Sequence, residues 1–114
     1  MHGKQILIEL YLKQVRCYID EDNVDMRKSD KENLTQLGIS YQDAKLIVKS
    51  LTSENYVAGP DQDHLIAEQD VYFFGYDCDG IELYIKLTIR IKNDLFIMSF
   101  HEAKFKLDYP FKNC

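Results

Sequence analysis

The apolar positions change period near the middle of the chain. Before it, Leu7, Leu10, Tyr11, Val15, Tyr18 and Ile19 recur at steps of three and four, which predicts an amphipathic helix over residues 4–19. The acidic run Asp20-Glu21-Asp22-Asn23 ends it. Ser29 or Asp30 is placed to cap a short helix carrying Leu34 and Leu37, with Gly38 as its stop. Ser40 is placed to cap a third helix, with Asp43 in the first turn and Ala44, Ile47, Val48 and Leu51 as its buried stripe. From Asn55 to Gln69 there are three acids, a Gly59-Pro60 pair and no clear period, which predicts a long loop.

From Asp70 onward the period is two. Leu83, Ile85, Leu87, Ile89 and Ile91 point one way, while Glu82, Tyr84, Lys86, Thr88 and Arg90 point the other. One buried and one polar face are predicted for this strand. Val71 and Phe73 form the apolar set of a preceding strand, joined through Asp77-Cys78-Asp79-Gly80 by a three-residue hairpin loop with Gly80 left-handed. Lys92-Asn93-Asp94 is a turn, Leu95 to His101 a further strand, and Ala103 to Tyr109 a short fourth one stopped by Pro110. Helices followed by an antiparallel meander give an α+β class, in a single domain over residues 1–114.

Composition narrows the setting. Hydrophobic residues make up 46% of the 114 and charged residues 29%, which suits a folded globular chain. The longest strictly aliphatic run is Ile6-Leu7-Ile8, far short of the roughly 20 residues of a membrane span. No basic stretch leads into an apolar one at the N-terminus, so no secretory signal is expected. Cys17, Cys78 and Cys114 form no C-x-x-C pair and read as free thiols of a reducing cytoplasm. The net charge of −5 conceals an asymmetry. Residues 1–82 hold eight Lys/Arg against sixteen Asp/Glu; residues 83–114 hold six against three. A local basic face on an acidic body is compatible with that division, as is a merely uneven surface.

Register assembles the polar face. With Asn93-Asp94 as a two-residue turn, Ile91 pairs with Phe96, Ile89 with Met98 and Leu87 with Phe100, all apolar with apolar. Lys86 then faces His101 and Thr88 faces Ser99. Across the first hairpin, Tyr72 falls beside Lys86, Phe74 beside Tyr84, and Asp70 near Thr88. Histidine exchanges protons near neutrality, lysine neutralises charge on a phosphorane, and tyrosine stacks on a base or donates a hydrogen bond. Such a patch suits a phosphodiester, and no metal is needed if the ribose 2′-hydroxyl attacks. The same residue types also coat the solvated side of many sheets, and no spacing here separates the two readings. Asp61, Asp63 and His64 are a weaker cation candidate, and Asp20 to Asp25 lacks the Gly and Glu of a calcium loop. No P-loop, G-x-S-x-G or H-E-x-x-H occurs.

Leu51-Thr52-Ser53-Glu54-Asn55-Tyr56, Gln69-Asp70-Val71-Tyr72, Leu83-Tyr84-Ile85-Lys86 and Ser99-Phe100-His101 together resemble the MqsR family of toxins. Gly59-Pro60 and Leu107-Asp108-Tyr109-Pro110-Phe111 are similar to one branch of it. The resemblance spans about residues 28–112. It implies a RelE-like α+β fold, metal-independent messenger-RNA cleavage without a cofactor, and a cognate antitoxin partner. It also implies that Gln69, Tyr84 and His101 match positions proposed for activity. Other members carry lysine where His101 stands, and a further lysine after Tyr56 where this chain has Val57-Ala58. The expected catalytic set is therefore His101, Lys86, Tyr84 and Gln69, with Tyr72, Asp70, Thr88 and Arg90 as substrate contacts. Two function classes stand: an endoribonuclease toxin acting in the cytoplasm on RNA, and a RelE-like module that binds a protein or nucleic-acid partner without catalysis.

Overall fold

The computed structural model describes residues 3–62 and 70–112. Helices α1 (Gly3–Asp20), α2 (Lys28–Leu37) and α3 (Tyr41–Ser50) pack on one face of a five-stranded sheet. The strands are β1 (Val24–Met26), β2 (Tyr56–Gln62), β3 (Asp70–Cys78), β4 (Ile81–Ile89) and β5 (Leu95–Glu102), in the order β1-β5-β4-β3-β2. All neighbours are antiparallel except β1 and β5. The fold is α+β, as the change of period predicts.

The first helix turns a different stripe inward. Ile8, Leu12 and Val15 are buried, with Tyr11, Tyr18 and Ile19 beside them, whereas Leu7 and Leu10 are 64% and 55% exposed. Aliphatic residues crowd positions 6 to 15, so two stripes compete, and the one continuous with Val15 and Ile19 meets the sheet. At α3, Ser40 accepts from Asp43 N–H at 3.0 Å, the cap expected from sequence, and Asp43 returns a bond to Ser40 N–H, so the cap is reciprocal. At α2, Gly38 closes the helix in the left-handed conformation, with φ 72°. The start differs: Arg27 holds the cap position, while Asp30 is buried and accepts from Phe100 N–H of β5 at 3.1 Å. A carboxylate in the first turn thus ties the helix to the sheet rather than capping it.

Two strands went unread. Val24–Met26 is too short for a period to show, and it pairs in parallel with Leu95–Ile97. Tyr56–Gln62, expected as loop, is an edge strand whose pairing with β3 shifts at two bulges around Gly59-Pro60. Proline is tolerated on such an edge, and the bulges destroy alternation. The expected strand over Ala103–Tyr109 is irregular chain instead. Glu82 answers its polar groups: the Glu82 carbonyl accepts from Ala103 N–H, and its carboxylate accepts from Leu107 N–H and the Tyr109 hydroxyl.

Both hairpin registers need correction. Asp79 and Gly80, each at positive φ, form a two-residue turn, so Cys78 pairs with Ile81. Relative to a three-residue loop this slips β3 by one position, which exchanges its faces. Phe73 now stands opposite Lys86, while Phe74 joins the core and Tyr72 goes to the helix side. Between β4 and β5 the turn is longer, closed by Arg90 N–H to Asp94 C=O at 2.8 Å, and Ile91 lies in it 70% exposed rather than buried. Ile89 pairs with Leu95, and a bulge between Lys86 and Leu87 brings Lys86 opposite Ser99 and Tyr84 opposite His101. Beyond the bulge the slip is two residues, so the faces survive there even though the partners change.

Candidate active site

The sheet face away from the helices carries the chemistry. Tyr84 is its centre: its ring lies 5.4 Å from that of His101 and 6.0 Å from that of Phe73. Lys86, two residues along β4, holds its ammonium 5.6 Å from the Phe73 ring centre. Lys86 and His101 share this face without being paired. His101 Nδ1 lies 2.9 Å from the Glu102 carbonyl oxygen. A carbonyl only accepts, so Nδ1 carries the proton and the Nε2 lone pair is left to take one. Partial burial, and secondarily the Asp61 charge, push the Tyr84 phenol up, so it is a hydrogen-bond donor at neutral pH. A cavity of about 240 Å³ opens beside Tyr84 and His101, walled by Phe105 and Leu107 of the C-terminal segment.

The remaining expected site residues lie elsewhere or are engaged. Tyr72 is on the helix side, stacked on Tyr11 with ring centres 3.9 Å apart, and does not adjoin Lys86. Thr88 is buried and its hydroxyl donates to the Asp70 carbonyl at 2.8 Å. Asp70 itself is exposed at the start of β3. Arg90 lies over Phe96 at 4.4 Å and forks onto Asp94, with Asp25 a further contact at 3.3 Å. Gln69, Asp63 and His64 fall outside the described residues. Phe73 was missed, and the Asp79-Gly80 pair was the signal for it: a two-residue turn there puts Phe73 across from Lys86. Cys17 and Cys78 are free thiols. Among the described residues no three His, Cys, Asp or Glu converge as metal ligands, and no helix is long and apolar enough to cross a membrane.

Residues 9–102, which hold Tyr84, Lys86 and His101, match the family model described as motility quorum-sensing regulator, toxin of MqsA. The chain belongs to the MqsR toxin family. No curated protein matches it. Membership makes it a toxin-family protein of a toxin–antitoxin pair, with an antitoxin as the implied partner. The match ends at residue 102, before Leu107–Phe111. Within the MqsR frame, Val57 and Ala58 lie in β2, where Ala58 pairs with Phe73. The strand position beside the aromatic patch is therefore filled by a methyl group rather than a cation.

Proposed function

We propose that the protein is a metal-independent endoribonuclease that cleaves messenger RNA in the cytoplasm. The observation that carries this reading is the shared open face of Tyr84, Lys86 and His101, with His101 held in the tautomer whose Nε2 accepts a proton. In the reaction, the ribose 2′-oxygen forms a bond to phosphorus and the bond to the 5′-oxygen breaks. The 2′-hydroxyl proton passes to His101 Nε2, and the departing 5′-oxygen takes a proton from water at this open face. Lys86 neutralises the charge that builds on the phosphorane. Tyr84 positions the substrate through its hydroxyl, Phe73 offers a stacking surface, and Gln69 orients the scissile nucleotide. Thr88 and Arg90 spend their polar groups on the Asp70 carbonyl and on Asp94 and so brace the sheet rather than the substrate, and Tyr72 supports it from behind.

The test is purified protein with a defined single-stranded RNA in EDTA. Cleavage leaving a 2′,3′-cyclic phosphate, lost in Lys86→Ala and His101→Ala, is the expected result; equal cleavage by all three proteins would remove these residues from the mechanism. A second reading, a family member that binds without cutting, is favoured by Val57-Ala58 and by the net charge of −5. RNA left intact by the wild type, together with a stable antitoxin complex, would decide for it.

A further inference from the structure

Helix α2 lies across the end of β5 that β1 leaves unpaired, since β1 reaches only Leu95 to Ile97. The buried Asp30 carboxylate on Phe100 N–H fixes where the helix sits. Asn33 and Gln36 follow one and two turns later and are neighbours on the helix surface. With Leu37, they wall a cavity of about 520 Å³ whose other side is His101, Glu102 and Lys104. Asn33 is half-buried and Gln36 exposed on this wall. His101 also borders the smaller cavity walled by Tyr84 and Phe105. The proton-accepting residue thus stands between an aromatic recess and an amide-lined one.

We propose that Asn33 and Gln36 form a base-reading subsite for the nucleotide on one side of the scissile phosphate. The proposal rests on the ribonuclease reading and names what its substrate must present. A carboxamide offers a donor and an acceptor side by side, which matches the paired donor and acceptor on the edge of an unstacked nucleobase. A single-stranded RNA whose scissile phosphate sits at His101 places one flanking base against Tyr84 and Phe105 and the other against the amides. Lys104, on the rim of both cavities, meets the phosphate that joins them.

The experiment compares wild type, Asn33→Ala, Gln36→Ala and the double variant on RNAs differing only at the nucleotides flanking the cut. Affinity for the 2′-deoxy forms of the same strands, which lack the attacking hydroxyl, is measured beside cleavage. A base preference at one flanking position of roughly 5- to 100-fold is expected in the wild type, the range of a good two-point base contact. The variants should lose that preference while keeping those at other positions and an unchanged melting temperature. A uniform drop on every sequence, or a preference untouched by both substitutions, would overturn the subsite. If the wild type cuts no RNA, the deoxy strands alone decide it: amide-dependent preference supports the subsite while the nuclease reading falls, and equal binding of all strands overturns the subsite.

Discussion

Tyr84 and His101 face each other across β4 and β5, with ring centres 5.4 Å apart. The β4–β5 backbone pairing fixes that separation, so neither ring depends on a loop for its place. Both side chains are half-buried on the open face rather than packed in the core. His101→Ala should therefore lower the cleavage rate by about 10²- to 10⁴-fold, the usual contribution of a positioned acid–base group. Thermal melting should move little, because no core contact is lost. Rate and melting measured on the same preparation check this; a large fall in melting temperature would make His101 a structural residue.

Phe73 gives a second expectation, on binding rather than chemistry. Its ring lies beside Tyr84 and under the Lys86 ammonium. A base stacked on such a ring gains about 1–3 kcal/mol. Phe73→Ala should weaken affinity for a 2′-deoxy strand by roughly 10-fold or more, while Phe73→Tyr keeps it. Fluorescence anisotropy at fixed salt reads the difference, and equal affinity for all three proteins would leave Phe73 out of the contact surface.

These two residues also mark how far the sequence carries. Alternation from Leu83 to Ile89 is strong because one face is buried and the other open, so it puts Tyr84, Lys86 and Thr88 on one side from sequence alone. Pairing is not carried by alternation. One extra residue at a turn or bulge re-pairs a whole strand: a three-residue loop ending at Gly80 puts Phe73 in the core, whereas the two-residue Asp79-Gly80 turn puts it opposite Lys86. His101 kept its face because the slip beyond the bulge is even. Asp30 and Glu82 were illegible for another reason. Each spends its carboxylate on backbone N–H groups of a distant segment, Phe100 and Leu107 respectively, and no local pattern encodes that.

The turn after β4 predicts an acid-sensitive contribution to stability. Hydrogen bonding from Arg90 holds the Asp94 carboxyl below the usual carboxylate range against the opposing effect of burial, and the Arg90 and Lys92 charges add to it. A depressed folded-state pKa stabilises the fold above the unfolded-chain value of about 3.9, and that stability is lost as pH falls through the lower folded value. Asp94→Asn should cost about 1–3 kcal/mol at pH 7, the range for hydrogen bonds to a charged partner. The gap from wild type should narrow as pH drops below about 4. Urea unfolding at pH 7 and pH 3 measures both, and a gap independent of pH would show that the charge of Asp94 is not what stabilises the turn.

Gly75 predicts how the C-terminal segment is held. A Cβ built there would stand 2.1 Å from the Tyr109 hydroxyl oxygen and 2.7 Å from two of its ring carbons, so the tyrosine ring must shift from its place over Gly75. Its hydroxyl donates to Glu82 at 2.9 Å, and burial and Glu82 together push its phenol up, so the bond persists through the ordinary pH range. Leu107 N–H shares the same carboxylate, which couples the tyrosine to the residue walling the recess beside His101. Gly75→Ala should therefore release residues 103–112 while β3 to β5 stay paired. Amide exchange should accelerate at Leu107, and trypsin should cut faster after Lys104 and Lys106, with global stability lower by about 1–2 kcal/mol. Tyr109→Phe, which keeps the ring and removes only the hydroxyl, should show a smaller shift in the same direction. Unchanged exchange at Leu107 in Gly75→Ala would mean that the segment is held by something other than the Tyr109–Glu82 contact.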